Sequence, residues 1–159
     1  MSNKMSRMTE TWMILGIILF IILMVAVIMV LLRKRRIPAD CFEDMEGHEF
    51  EYYCAALLEQ RGFVDVEVTR GSGDYGIDIL AEKEGVTYAI QCKRYTMPVG
   101  VKAVQEAYAG RDYYDRMVGV VMTNQYFTTP AVEAAKKLKI LLWDGGYLES
   151  MIEETHAGR

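Results

Sequence analysis

The chain has 159 residues, of which 52% are hydrophobic, with 18 Lys and Arg against 22 Asp and Glu. Residues 1–36 contain six of the basic and one of the acidic residues, so residues 37–159 contain 12 basic and 21 acidic residues, a net charge of −9. This acidic balance argues against a broad basic face that would bind DNA phosphates. The three cysteines are unevenly spaced, which argues against a disulfide framework. With only two histidines besides, a structural zinc site is not expected either.

Residues 12–32 form a run of 21 residues without a charge, preceded by an N-terminal flank of residues 1–11. A helix of this length is about 31 Å long, close to the roughly 30 Å hydrocarbon core of a bilayer. A buried core helix and a cleaved signal peptide are the alternatives. The first rarely lacks a polar position over such a length, and the second needs a shorter apolar run and a small-residue cleavage site. Residues 12–32 are therefore predicted to be an uncleaved transmembrane helix.

Basic residues are unequally distributed around this segment. Residues 33–36 read RKRR, whereas the preceding flank has only Lys4 and Arg7. Since positive flanks remain in the cytoplasm, the pattern predicts a single-pass protein of the cell membrane with its N-terminus outside and its domain in the cytoplasm. Residues 33–42 are expected to be a basic juxtamembrane linker.

The remaining chain, residues 43–156, is predicted to form one domain of alternating helices and strands. The first expected elements are helix 43–60, strand 63–69, a turn at 71–73, and strands 77–81 and 86–94 around a Glu84-Gly85 turn. Helix 99–114 and buried strand 117–123 follow, and then a helix from Thr129 to Leu138, with Thr129 as cap and Pro130 at its first position. The last elements are strand 140–143, a turn at 144–146 and helix 147–154. The order α-β-β-β-α-β-α-β-α predicts an α/β fold with a mixed sheet flanked by helices, preceded by one transmembrane helix.

The hairpin places polar residues opposite one another. If Glu84 and Gly85 form a two-residue loop, paired residue numbers add up to 169, so Asp78 lies opposite Gln91. Lys93 shares their face, because side chains alternate along a strand. The other face is expected to carry four apolar side chains, those of Ile77, Ile79, Ile90 and Cys92.

Asp78, Gln91 and Lys93 suit metal-assisted phosphodiester hydrolysis. A carboxylate and an amide oxygen bind a hard ion such as Mg²⁺, and an ammonium stabilises a developing negative charge or helps to activate water. From geometry alone, an ordinary solvent-facing salt bridge between Asp78 and Lys93 is a slightly better interpretation, since exposed ion pairs are common.

The segment GSGDYGIDILAEKEGVTYAIQCKRY resembles the catalytic core of the Mrr-type restriction endonucleases, members of the PD-(D/E)xK nuclease superfamily. Similar strings continue in order over residues 43–153, namely GHEFEYYCAALLEQRGF, PVGVKAVQEAYAG, GVVMTNQYFTTPAVEAAKK and LLWDGGYLESMI. The resemblance therefore implies a restriction-endonuclease-like fold. It does not extend to the winged-helix DNA-binding domain that some Mrr proteins carry.

The resemblance implies a role for each matching residue. Asp78 would bind the metal, Gln91 would take the place of a second acidic ligand, and Lys93 would be the catalytic lysine. Glu51 matches an acid of the first helix that contributes to the metal site, although three other acids, Asp44, Glu46 and Glu49, compete for this role.

Further residues are expected to contact DNA. Arg94 and Tyr95 are expected to contact phosphate, unless they merely end the strand, and Lys102 to join a local positive rim with Lys93, Arg94 and Arg111. Gln105 corresponds to a polar position near the site but equally suits a solvated helix face. A base-stacking platform of Tyr52, Tyr53, Tyr113 and Tyr114 is a weaker hypothesis than ordinary packing.

Together these features predict a membrane-tethered, type IV restriction-like endodeoxyribonuclease that uses Mg²⁺ or Mn²⁺ and no small-molecule cofactor against foreign DNA. Its partners would be DNA and a lipid bilayer, through residues 12–32, and double-strand cleavage would imply a homodimer. The alternative is an inactive nuclease fold that serves as a binding or assembly module at the membrane, which the acidic domain favours and the intact set Asp78, Gln91 and Lys93 disfavours.

Overall fold

The computed structural model describes residue 13 and residues 16–25, 42, 45–69 and 75–157, with only the backbone of the last two. The chain divides into two compact units, residues 1–36 and 37–159. In the first unit, residues 16–25 are helical and exposed. Within the described part of the chain, no helix is both long and apolar enough to cross a bilayer. Residues 12, 14, 15 and 26–32 of the predicted span, all of the RKRR cluster and the predicted turn at 71–73 lie outside the described residues.

The second unit follows the predicted order of elements. They are α1 (Gly47–Gln60), β1 (Val64–Val68), β2 (Ile79–Lys83), β3 (Val86–Lys93), α2 (Val101–Tyr113), β4 (Val118–Thr123), α3 (Thr129–Leu138), β5 (Ile140–Trp143) and α4 (Gly145–Ala157). The predicted mixed sheet is confirmed: its strands lie in the order β1-β2-β3-β4-β5, antiparallel as far as β3 and parallel from β3 to β5.

Helices cover both faces of this sheet. Side chains of α1 and α4 pack on one face, in the cluster that contains Ile90 and Met122. Side chains of α2 and α3 pack on the other, in the cluster that contains Val121. Both parallel connections, β3-α2-β4 and β4-α3-β5, thus place their helices on the same side, as expected for two crossovers of the same hand. Because neighbouring β4 side chains enter different clusters, the prediction that this strand is buried on both faces is confirmed.

The hairpin has the predicted register. Lys83 pairs with Val86 and Ile79 with Ile90, so paired numbers add up to 169. The turn residues Glu84 and Gly85 have φ of 53° and 78°, the left-handed conformation that a two-residue hairpin turn needs. Strand β2 begins and ends two residues later than predicted, since it covers Ile79–Lys83 rather than residues 77–81, whereas β3 begins at Val86 as predicted.

The predicted orientation of Ile77 is wrong. Ile79, Ile90 and Cys92 lie in the α1 cluster, but Ile77 packs with other side chains, Leu80 and Ala89. The physical reason is that the regular ladder ends at Asp78, whose N–H donates to the carbonyl of Ile90 at 2.9 Å instead of pairing with Gln91.

All four helix starts differ from the prediction, and α2 begins at Val101 rather than at residue 99. Helix α1 begins at Gly47, where Glu46 and Glu49 form a reciprocal capping box. The cap of α3 is Thr128, not Thr129, because its hydroxyl accepts a hydrogen bond from the N–H of Ala131. The predicted turn at 144–146 is instead the start of α4, where the Asp144 carboxylate accepts the N–H of Tyr147 at 2.9 Å.

Candidate active site

Asp78 lies immediately before β2, at the edge of the sheet where β3 ends. Its side chain is buried, with 9% of the residue exposed. The carboxylate oxygen Oδ2 accepts the N–H of Cys92 at 2.6 Å and a short hydrogen bond from the Gln91 amide nitrogen Nε2. The carboxylate therefore accepts a hydrogen bond from a backbone N–H of β3 at the point where the regular pairing of β2 with β3 ends.

Gln91 contributes the other oxygen of this pair. The residue is 3% exposed, and its amide oxygen Oε1 is buried without a hydrogen-bond partner among the described residues. A buried polar atom without a partner is costly, so its presence here points to a ligand. Gly76 keeps the space in front of this oxygen open: a Cβ at that position would lie 3.2 Å from Oε1 and 2.9 Å from the Cβ of Glu106.

Lys93 ends β3 and pairs with a residue that was absent from the sequence prediction. Its Nζ lies 2.9 Å from Oε2 of Glu106 on α2. Burial alone would lower the pKa of Lys93, but the hydrogen bond and charge of Glu106 outweigh this effect, so the pKa lies above its usual value. Lys93 is therefore an ammonium at neutral pH. Asp78 acts on this ammonium only through a smaller charge effect.

These side chains line one cavity of about 570 Å³ between the sheet and α2. Lys102 and Gln105 also line it, as was expected of residues near the site. The Lys102 ammonium lies 3.7 Å from Oε1 of Glu106, and its side chain is 87% exposed. The polar lining is thus formed by Asp78, Gln91, Lys93, Lys102, Gln105 and Glu106. Because Asp78 and Gln91 are buried, a solvent-facing salt bridge does not describe this arrangement.

Three other predicted site residues are not part of the cavity lining. Glu51 is on α1, across the sheet from α2, and its carboxylate contacts Nδ1 of His48 at 2.7 Å. Arg94 donates to the carbonyl of Phe42 at 2.9 Å. Tyr95 is held by its backbone through two hydrogen bonds with the Asn124 side chain, and it is 47% exposed. None of the three predicted residues lines the cavity.

The sequence contained a signal for Glu106 that pattern analysis missed. Glu106 follows Gln105 and lies four residues after Lys102, so it shares a helix face with the lysine. The sequence does not show which face of α2 covers the sheet. The same spacing of Lys102 and Glu106 would occur on any solvent-exposed helix face.

The donor set fits a hard divalent cation. Asp78 and Glu106 supply carboxylates, and Gln91 supplies the amide oxygen without a partner. In the described part of the chain, no three side chains of His, Cys, Asp and Glu form a cluster that would hold a metal. Mg²⁺ needs no such cluster, because it is commonly bound through one or two carboxylates, waters and substrate phosphates.

The five-stranded mixed sheet, flanked by helices and carrying an acid, an amide and a lysine at one edge, defines a restriction-endonuclease-like nuclease domain. The family model of the Mrr catalytic domain, a restriction endonuclease, matches residues 42–152. The chain therefore belongs to this family, as the sequence resemblance implied. Among curated proteins, none matches the chain.

Solved structures share the fold. The crystal structure of AF1548, a protein of unknown function, has a TM-score of 0.60 and 25% identity over 70% of this chain and 67% of its own. The modification-dependent restriction endonuclease AspBHI has a TM-score of 0.51 and 22% identity over 69% of this chain. The restriction endonuclease MspJI, in complex with a 27-mer oligonucleotide, has a TM-score of 0.54 and 21% identity over 70%. The alignment spans only 31% of AspBHI and 28% of MspJI.

Proposed function

We propose that this chain is a divalent-metal-dependent DNA endonuclease of the restriction type. One observation carries the proposal: the buried amide oxygen of Gln91, without a hydrogen-bond partner in the described structure, opens beside Asp78 into a cavity that also holds Lys93. Membership of a restriction endonuclease family supports the same chemistry. The type IV subclass, which acts on modified foreign DNA, remains part of this proposal.

The side chains have distinct roles in this proposal. The Asp78 carboxylate and the Gln91 oxygen hold Mg²⁺ or Mn²⁺, which supplies Lewis acidity and activates water when bound. Cys92 orients the carboxylate through its backbone N–H. Lys93, protonated at neutral pH, stabilises the negative charge that develops on the phosphate. An ammonium with a raised pKa is a poor base, so Lys93 acts through its charge.

DNA as the substrate is supported by the likeness to MspJI, which has been solved with an oligonucleotide. The positive rim expected for this contact is largely neutralised. Lys93 and Lys102 face Glu106, and Arg111 pairs with Asp112 at 2.8 Å. Weak engagement of DNA, without a strong sequence-independent phosphate contribution, is expected from so little uncompensated positive charge. Arg94 and Tyr95 remain proposed phosphate contacts at the exposed end of β3, and Glu51 a proposed contributor to the metal site from α1.

A plasmid-nicking assay tests the proposal. The parent should nick supercoiled DNA with Mg²⁺ or Mn²⁺ and not with EDTA. Asp78→Asn and Lys93→Ala should each lower the rate by about 100-fold or more, since each removes charge at the reacting phosphate. Lys137→Ala is the matched control, because Lys137 is exposed on α3.

Nicking that survives both site substitutions would come from another protein or another site. A folded parent that nicks neither modified nor unmodified DNA with either metal would favour the binding or assembly module.

Residues 12–32 are proposed to anchor the protein in the cell membrane, with the N-terminus outside and the nuclease domain in the cytoplasm. The support is their uncharged composition and the RKRR cluster that follows. The full chain should stay with membranes after alkaline carbonate extraction, whereas residues 37–159 should not. Release of the full chain by carbonate would contradict the anchor. A homodimer, proposed for cutting both strands, is tested by the sedimentation of residues 37–159.

A further inference from the structure

Two tyrosine rings are stacked at the wall of the catalytic cavity. The centroids of Tyr75 and Tyr113 lie 3.7 Å apart with 23° between the ring planes. Tyr75 is 56% exposed and Tyr113 57%, so the pair is not a buried packing contact. Tyr75 also lines the cavity that contains Asp78 and Lys93. One face of the Tyr75 ring is covered by Tyr113, and Tyr75 borders the proposed reaction site.

The turn that carries Tyr75 is fixed against α2. Gly76 adopts a φ of 76° and lies so close to the helix that a Cβ would be 2.9 Å from the Cβ of Glu106. A Cβ on Gly110 would in turn lie 2.9 Å from the carbonyl oxygen of Tyr75. Two glycines thus bring the turn and the helix into direct backbone contact. Tyr75 itself has a φ of 49°, a conformation uncommon for tyrosine, so packing holds the ring where it is.

Tyr113 forms a rigid backing for this ring. The ring of Tyr114 meets that of Tyr113 edge-on, with 5.1 Å between centroids and 87° between planes. A hydrogen bond with Tyr75 raises the pKa of Tyr113, so its phenol remains neutral in the physiological range. A neutral, preorganised aromatic surface beside a phosphate site adds no charge repulsion and little ordering entropy to binding.

Consecutive nucleotides of a strand rise by about 3.4 Å each along a duplex, and Tyr75 lines the cavity in which the phosphodiester would lie. In a paired duplex, each base has both faces covered by its neighbours, and uncovering one costs a few kcal/mol. In an unpaired segment, a face is available for stacking on an aromatic side chain.

We infer that the Tyr75–Tyr113 stack is a platform for an unpaired base next to the phosphodiester that is cut, so the enzyme acts preferentially on single-stranded or locally unpaired DNA. This inference rests on the proposed nuclease function and narrows its substrate class. The inference also agrees with the weak positive charge around the cavity. Base stacking would supply binding affinity where phosphate contacts supply little.

Binding tests the inference without cleavage. Three fluorescein-labelled DNAs of one sequence are compared by anisotropy with the full chain, in Ca²⁺: a paired duplex, the duplex with a central mismatched bubble, and the single strand. The bubble and the single strand should bind about tenfold more tightly than the duplex, since stacking of one base contributes about this much. Tyr75→Ala and Tyr113→Ala should remove the difference, whereas Tyr75→Phe should retain it because the ring is kept.

Tyr52→Ala is the matched control, because Tyr52 is 57% exposed but lies on α1, across the sheet. Equal affinity of the parent for all three DNAs, or a preference that survives both alanine variants, would overturn the inference. Cleavage with Mg²⁺ is measured on the same DNAs. Equal cutting of paired and unpaired DNA refutes the platform alone. No cutting, together with tyrosine-dependent binding to the bubble, refutes the nuclease and leaves a binding platform.

Discussion

The ammonium of Lys93 and the carboxylate of Glu106 lie 2.9 Å apart, which connects the end of β3 to the helix that follows it. Both residues line the cavity that also contains Asp78 and Gln91. The pair therefore places a positive and a negative charge beside the position proposed for the phosphate and the metal ion.

The Lys93–Glu106 pair should stabilise the fold in a pH-dependent manner. Glu106→Gln should lower the unfolding free energy of residues 37–159 by about 1 kcal/mol, a modest value because both side chains are partly exposed. Glu106 raises the pKa of Lys93 above the ordinary 10.5, so this contribution is fully present below pH 10.5 and is lost as pH rises through the higher folded-state value.

Urea unfolding at several pH values measures this effect. The difference between parent and variant should be constant from about pH 6 to about pH 9 and shrink above 10.5. Glu133→Gln, an exposed change on α3, is the control. A difference that vanishes already at neutral pH would show that Lys93 does not contribute through its ammonium.

Gln91→Glu should make the domain depend on divalent metal for its stability. The substitution replaces the amide that donates to Asp78 with a second carboxylate, so two negative charges meet in a buried place. Without metal, the unfolding free energy should fall by about 2 kcal/mol, as expected for a lost buried hydrogen bond. Millimolar Mg²⁺ or Mn²⁺ should raise the Tm of this variant more than that of the parent. An equal response of the two proteins to metal would argue against a cation site at these residues.

Gly110→Ala should destabilise the domain through a steric clash. Its Cβ would lie 2.3 Å from Cγ1 of Ile77 and 2.9 Å from the carbonyl oxygen of Tyr75. We expect a loss of about 1–3 kcal/mol in thermal or urea unfolding, as for other overpacked sites. Gly47→Ala adds the same methyl group where no atom lies within 4 Å, so it should be neutral or slightly stabilising. Similar behaviour of the two variants would refute the close contact between the turn and α2.

The thiols of Cys54 and Cys92 should be unreactive in the folded protein. Both are buried, and a hydrogen bond with Cys54, together with burial, raises the pKa of Cys92 well above its usual value. In a Cys41→Ser background, labelling by a thiol-specific disulfide reagent at pH 8 should be about 100-fold slower than in urea, because both thiols are buried and little Cys92 thiolate forms. Rapid labelling of the folded protein would show that α1 opens from the sheet.

Local patterns were sufficient for the order of the elements. Apolar periodicity distinguishes α1 from the strands, and the unbroken apolar run of β4 marks a strand buried on both sides. The Glu84-Gly85 loop determined the hairpin register, because a two-residue turn leaves no alternative pairing. From that register alone, Asp78 and Gln91 were expected to meet, and their side chains are hydrogen-bonded.

The side-chain orientation predicted for Ile77 from strand alternation was wrong because of a contact with a distant part of the chain. Ile77 should have pointed to the same face as Ile79, but the ladder ends between them and α2 accepts Ile77 on the other side. The shift of the α3 cap from Thr129 to Thr128 is smaller, since adjacent threonines offer the same hydroxyl. Family membership followed from the sequence and is supported by the match over residues 42–152.

The sequence alone was enough for the order of the secondary-structure elements, the hairpin register and the family, because each depends on neighbours along the chain or on motifs within it. The tertiary structure decided that Glu106 is the partner of Lys93 and that Tyr75 stacks on Tyr113. Both pairs join the hairpin region to α2, and they form only after the crossover from β3 to β4 places one particular face of that helix against the sheet. Helical spacing shows which residues share a face, but packing determines what that face meets.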